Sequence, residues 1–228
     1  MKTLIKILLV MTLSITSCTN ASIVADDCSI SINGILFSKS INQGNILSGQ
    51  ISKSKIEINS GAKTDFFNEA DGKQKYSNAP MLLTKIDNKE PFTFIAKVTP
   101  EFAETYDAGA VYIYVNNDRW LKFAFEMDER KQTRIVTVRT NGTSDDNNHD
   151  VVAGKHAYMK ISSNVESIGF YYSIDSLNWQ LVRAFKNDFP VSAYIGISSQ
   201  SPLGKGTKTT IENISLIKEA IKDFRKGI

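Results

Sequence analysis

Cysteine and histidine are both scarce in this chain, with two of each in 228 residues. The histidines, His149 and His156, have no cysteine or glutamate at zinc-ligand spacing, which argues against a zinc site. Cys18 and Cys28 alone build no disulfide framework, so the body must hold itself together by burying a core. No Gly-x-Ser-x-Gly elbow is present, nor a phosphate-binding glycine loop or dinucleotide fingerprint. An excess of one charge is missing too: 27 basic side chains stand against 24 acidic ones, for a formal net charge of +3. Two of the basic residues, Lys2 and Lys6, fall in the first six positions, so the rest is close to neutral. A near-neutral body lacks the concentrated basic face that phosphate neutralisation needs, and no nucleic-acid partner is expected. Beyond the first twenty residues there is no long apolar run of the kind that spans a bilayer.

What is present starts at the N-terminus. Lys2 and Lys6 give a positive start to the apolar stretch LIKILLVMTLSI, which is too short for a span and reads as an export signal. The ITSC that follows resembles a bacterial lipoprotein signal. That resemblance implies a signal peptide over residues 1–17, lipid on Cys18, and a tether over 18–28. The address it implies is the bacterial cell envelope, with the membrane reached through the lipid anchor only. Ordinary cleavage after ASIVA, before Asp26, is the alternative. With lipid on Cys18, Cys28 is a lone thiol; without it the two can pair across a short loop.

Residues 29–228 read as a single domain. Period-two alternation dominates it. PFTFIAKV places Phe92, Phe94 and Ala96 on one side and Thr93, Ile95 and Lys97 on the other. AGAVYIYVN separates Val111, Ile113 and Val115 from Ala110, Tyr112 and Tyr114. RWLKFAFE separates Leu121, Phe123 and Phe125 from Trp120, Lys122, Ala124 and Glu126. Similar runs continue to AYIGISS, divided by turn signals at a spacing of roughly 8–12 residues. This pattern predicts an all-β antiparallel sandwich. A short C-terminal helix is expected over IKEAIKDFRK, with Ile217, Ile221 and Phe224 on one face. Upstream, KIEINS and PMLLTKI suggest strands, whereas KTDFFNEADG looks like a loop with two exposed Phe residues.

Four pieces in order carry a family resemblance: YDAGAVYIYVNNDRWLKFAFEMDE, RIVTVRTNGTSDDNN, YMKISSNVESIGFYYSIDSLNWQLVRAF and the upstream TDFF turn. Together they resemble the regulation-of-enolase domain of unknown function, over residues 35 to 217. The resemblance implies a concanavalin A-like jelly roll and leaves the function open, since related jelly rolls include lectins, carbohydrate-binding modules and glycosidase accessory domains.

If Leu121, Phe123, Phe125 and the Val111 row form the inter-sheet core, then Tyr112, Tyr114, Trp120, Lys122 and Glu126 share the opposite face. Aromatic platforms with a few charges suit a glycan, whose ring CH groups stack on π faces while its hydroxyls take hydrogen bonds. Arg139 ends its strand and is expected to reach that site or pair with Glu126. TNGTSDDNNHD reads as a hairpin loop at the rim, with Asp145 and Asp146 as ligand contacts. With Asn148 these are also calcium candidates, although the spacing is not that of an EF-hand; no cofactor is otherwise expected. For glycosidase chemistry the two required carboxylates would be Glu126 with Asp107 or Asp145. The expected function is non-catalytic binding of a glycan or other surface ligand. A glycoside-active enzyme and a protein-interaction or structural module of the envelope are the alternatives.

Overall fold

Strict alternation over runs of seven to nine residues can bury one side of a strand against a second sheet, and two such sheets make a sandwich. The computed structural model describes residues 25–228, so the signal region and Cys18 lie outside the described residues. In chain order the strands are β1 (Asp26–Ile32), β2 (Ile35–Ile41), β3 (Ser48–Ser52), β4 (Lys55–Gly61), β5 (Phe66–Asn68) and β6 (Lys75–Ser77). Next come β7 (Met81–Asp87), β8 (Phe92–Pro100), β9 (Ala108–Asn116), β10 (Arg119–Met127), β11 (Thr133–Asn141) and β12 (Thr143–Val151). The last are β13 (Ala157–Ser163), β14 (Ser167–Ser173), β15 (Gln180–Lys186), β16 (Ser192–Gln200) and β17 (Gly206–Ile217). One helical turn, Gly44–Leu47, sits between β2 and β3.

One sheet has eight strands in the order β1-β2-β7-β16-β9-β10-β11-β12, and the other has seven in the order β15-β14-β13-β8-β17-β4-β3. All the pairings are antiparallel, and β5 and β6 form a separate hairpin. Hairpins build β9 to β12 in sequence, while long crossovers place β16 beside β9 and β17 beside β8. This is the antiparallel sandwich predicted from the alternation, in the jelly-roll form that the family resemblance implied.

The core lies between the sheets. Val111, Ile113, Leu121, Phe123, Phe125 and Ile135 meet Phe94, Met159, Ile161 and Phe170 there, all essentially inaccessible. Phe123 and Phe170 stack at 5.0 Å across the gap. The sheets approach closely at Gly109, where an added Cβ would fall 2.4 Å from Thr209 Cγ2 and 2.5 Å from Val98 Cγ1.

Three expectations are corrected. The C-terminal helix does not form: β17 runs through Ile217, and residues 218–228 lie as turns over the seven-stranded sheet. The tail's backbone groups are taken by side chains of that sheet instead of by a helix. Thr93 Oγ1 donates to the Glu219 carbonyl (2.7 Å), Tyr171 Oη to that of Phe224 (2.8 Å) and Lys160 Nζ to that of Gly227 (2.8 Å). The loop TNGTSDDNNHD is edge strand β12, reversed from β11 around Gly142 at φ +80°. Asp26, Asp27 and Cys28, read as the end of the tether, already belong to β1, where Asp26 pairs with Ser40.

The stacked pair gives a direct test of the core. Phe123→Ala should lower stability in urea denaturation by about 3–5 kcal/mol, as for other large aromatic truncations in packed cores.

Candidate functional site

Register fixes what shares the outer face of the eight-stranded sheet. Lys122 lies beside Tyr112 on β9 and Val138 on β11, and Val138 in turn pairs with Asp146 on β12. Two rows further along the same face, past Ala124, Glu126 pairs with Ala108, which pairs with Gln200 on β16. Asn148 joins the face opposite Val136.

The aromatic platform is not open. Tyr112 and Trp120 are fully buried and Tyr114 nearly so, beneath β5 and its approach. Phe66 meets all three edge-on, at centroid distances of 5.8, 6.0 and 6.2 Å for Tyr112, Trp120 and Tyr114. The polar atoms of the last two are spent locally: Trp120 Nε1 donates to the Asn117 carbonyl (3.1 Å), and Tyr114 Oη to Asn117 Oδ1 (2.8 Å). These three rings are therefore core of a second, smaller cluster, and sugar stacking on them is excluded. The TDFF stretch that looked exposed supplies the plug, because Phe66 finds an unfilled aromatic face to cover. Burial pushes the Tyr114 phenol up to about 12.

Lys122 fastens this cover. Its ammonium donates to the Phe66 carbonyl (2.8 Å), Asp65 Oδ1 (3.2 Å) and Gln200 Oε1 (3.2 Å). An ammonium has three protons, so none is left for a ligand.

Where the cover ends, a cleft of about 600 Å³ opens on the sheet. Lys122, Glu126, Gln200 and Asp65 lie at its floor, with Val136 and Val138 beside them. Phe67, Tyr76 and Tyr106 supply aromatic walls, and Asp146 and Asn148 reach in from the edge strand. Its volume is in the range of small-ligand pockets.

Glu126 is 93% inaccessible, on the 7% exposure of its residue. Gln200 Nε2 donates to its Oε2 over a long 3.5 Å, and its other oxygen has no hydrogen-bond partner among the described residues. Burial pushes its carboxyl up to about 8; Lys122 pulls it back down, and Asp65, Asp146 and Asp128 push it up again. At neutral pH it is mainly the acid, a hydrogen-bond donor. Beside it the Tyr112 hydroxyl is buried with no partner, and its pKa is raised well above the ordinary phenol by burial, then by Asp65 and Glu126.

The other predicted residues go elsewhere. Arg139 is on the opposite face, where it pairs with Asp188 at 2.7 Å; it reaches neither Glu126 nor the cleft. Asp145 also faces that way and meets Arg183 of β15 at 3.2 Å. Alternation along β12 thus separates Asp145 from Asp146 and Asn148, and the three cannot share a calcium ion. Asp107 is buried as a loop clamp, accepting from the Ala103 and Glu104 amides (2.9 and 2.8 Å) and from Ser201 Oγ (2.6 Å). It does not line the cleft, so neither Asp107 nor Asp145 is a second carboxylate for Glu126. The sequence reading missed Asp65, Phe67, Tyr76, Tyr106 and Gln200. Asp65 and Phe67 carried a signal as part of TDFF, and Tyr106 as the first residue of YDAGAVYIYVNN.

A family model described as "Protein of unknown function (DUF1349)" matches residues 43–219. No curated protein matches the chain. Among solved structures, a functionally unknown protein from Saccharomyces cerevisiae aligns with a TM-score of 0.69 and 22% identity, over 76% of this chain and 92% of its own. The GH43 BlXynB protein from Bacillus licheniformis aligns at 0.56 with 13% identity, over 72% of this chain and 33% of its own. A xylan beta-1,4-xylosidase from Bacillus halodurans C-125 aligns at 0.54 with 12% identity, over 69% and 32%. The chain spans about a third of each of these two. At such identities the likeness is one of fold.

Glu126 sets a pH signature. Its folded pKa lies above the ordinary carboxylate value, so the unfolded chain releases this proton first. The stabilising contribution is full below about pH 4.5 and is lost as pH rises through about 8. Glu126→Gln should remove that part of the decline, gaining on the native chain by a few kcal/mol, as an order of magnitude, between pH 4 and pH 9 in denaturant titrations.

Proposed function

The chain belongs to the family described as protein of unknown function DUF1349, and from that premise we propose that it is a saccharide-binding protein whose site is the cleft at the edge of the β5–β6 cover. The observation that carries this reading is the floor of the cleft. There an uncharged Glu126, with one oxygen unpartnered, stands beside Gln200 and Asp65, whose Oδ1 is taken by Lys122 and the Phe66 amide and whose Oδ2 is free among the described residues. Such a set donates to and accepts from hydroxyl groups at once, which is what a polyol requires. Phe67, Tyr76 and Tyr106 provide faces for sugar CH groups, a role transferred here from the buried Tyr112, Tyr114 and Trp120. The fold likeness to GH43 enzymes agrees with this reading at the level of architecture. The resemblance to the regulation-of-enolase domain belongs to the fold part of the proposal, and no cleft residue argues for enolase as a partner.

A second reading rests on the same carboxyl. A buried acid that keeps its proton near neutrality is suited to protonate a glycosidic oxygen. Asp146 is the carboxylate in the cleft that faces the same side of the sheet. Binding alone is preferred, because Glu126 forms part of the bridged floor, with Gln200 joining it to Lys122.

We place the protein at the bacterial cell envelope as a lipoprotein. With lipid on Cys18, the segment 19–25 reaches at most about 25 Å before β1 begins, so the sandwich would sit close to its membrane.

A glycan array probed with the purified chain should give a specific signal that falls about tenfold on Gln200→Ala, the size of one lost hydrogen-bonded contact. Unchanged binding would sink the cleft as the site, and chain cleavage of bound glycans, lost on Glu126→Gln, would favour the enzyme. Mass spectrometry of the membrane-extracted protein should find diacylglycerol on Cys18, and a mature chain starting at Asp26 would refute the anchor.

A further inference from the structure

The lining of the cleft is uneven in charge. Glu69, Glu129 and Asp146 line it with Lys63, while the protons of Lys122 are already committed to Asp65, the Phe66 carbonyl and Gln200. Asp146 has no ion pair among the described residues and stands exposed on the edge strand. Its neighbour Asp145 is the one that meets Arg183.

Tyr106 adds a second observation. It holds a left-handed backbone with φ +68°, a conformation bulky residues avoid and keep only where the surroundings enforce it. Its amide donates to the Met127 carbonyl at 2.7 Å, which fixes the turn beside the end of β10. The ring is thereby brought among the carboxylates: burial raises its phenol pKa, and so do Glu129, Glu126, Asp128 and Asp146. A third observation is the unpartnered oxygen of the buried Glu126, which borders the same space.

Glu129 meets Arg130 at 3.8 Å, whereas Glu69 and Asp146 have no ion pair among the described residues. Aromatic faces interleaved with such carboxylates attract an organic cation through cation–π and ion-pair contacts together. A bare metal ion fits less well, since among the described residues no three His, Cys, Asp or Glu side chains converge as metal ligands. An anionic sugar would meet unscreened carboxylates and find no free ammonium on the floor.

We propose that the cleft recognises a saccharide bearing a free ammonium group, an amino sugar, with the ammonium against Asp146 and the aromatic wall that includes Tyr106. This assignment rests on the saccharide reading of the same site. Hydroxyls of the ligand engage Glu126, Gln200 and Asp65, and the ammonium adds positive charge to a lining in which acidic side chains outnumber lysines.

The test is isothermal titration of the full chain with a glucosamine tetramer, with the same tetramer N-acetylated, and with spermidine. The free-amine tetramer should bind at least about tenfold more tightly than the acetylated one, the ratio that one desolvated cation–π and ion-pair contact supports. Asp146→Asn, on an exposed edge position, should collapse that ratio. Equal or tighter binding of the acetylated tetramer overturns the ammonium assignment and leaves the saccharide reading standing. Spermidine binding as tightly as the amine tetramer overturns the saccharide half. No binding of any of the three overturns both.

Discussion

The buried ammonium of Lys122 joins three pieces of chain that are far apart in sequence. It reaches Asp65 and the Phe66 carbonyl on the cover and Gln200 at the end of β16, from its own place on β10. A charge taken out of water is tolerated only when its hydrogen-bonding capacity is met, and here all three protons are used. That requirement holds the β5–β6 cover in one position over the sheet. Phe66 then closes the aromatic face, and the face remains open only where the cover stops. The existence of the cleft and its location both follow from this brace.

The seven-stranded sheet uses the same device. Lys160 is buried under the C-terminal turns, donates to the Gly227 carbonyl and lies 3.6 Å from the centre of the Trp179 ring. Burial lowers its ammonium to about 8. Lys122 likewise donates to a backbone carbonyl and stands 6.0 Å from the Trp120 ring centre. On both outer faces, then, an irregular segment is pinned by a lysine beside a tryptophan. The difference is completeness. Over the seven-stranded sheet Gly227 fits so tightly that an added Cβ would come within 2.8 Å of Tyr171, whereas the β5–β6 cover leaves room at one end.

That room has a particular chemistry. Glu126 gains little from Gln200 at 3.5 Å and stays protonated because burial outweighs the pull of Lys122. The cleft therefore combines an acid that donates, carboxylates that accept, and rings at its wall. Glu126, Asp146 and Gln200 sit on β10, β12 and β16, strands of a sheet rigidified by its packing against the second sheet, so their spacing is set by register, while the rings come from β5, β6 and the loop before β9. A preorganised floor of this kind recognises hydroxyl and ammonium groups with little reorganisation.

Alternation along the sequence determined the sandwich and separated Leu121, Phe123 and Phe125 from Trp120, Lys122 and Glu126, because period two is a property of each strand alone. It also placed Lys122 and Glu126 on the face that bears the cleft. It did not reveal that Tyr112, Tyr114 and Trp120 are buried there, since a period-two pattern says which side a residue faces and nothing about what covers that side. The polar run after Gly142 carried no hydrophobic alternation, so its strand and the opposite facing of Asp145 and Asp146 emerged only through pairing with β11. The C-terminal pattern suited a helix by itself, and side chains of β8, β13 and β14 decided otherwise by taking its carbonyls. Gln200 carried no signal and Asp65 only that of the TDFF turn, because the two lie far apart in the chain and neither pattern shows that they meet. Only the crossover that sets β16 beside β9, and the cover held by Lys122, bring them to one floor.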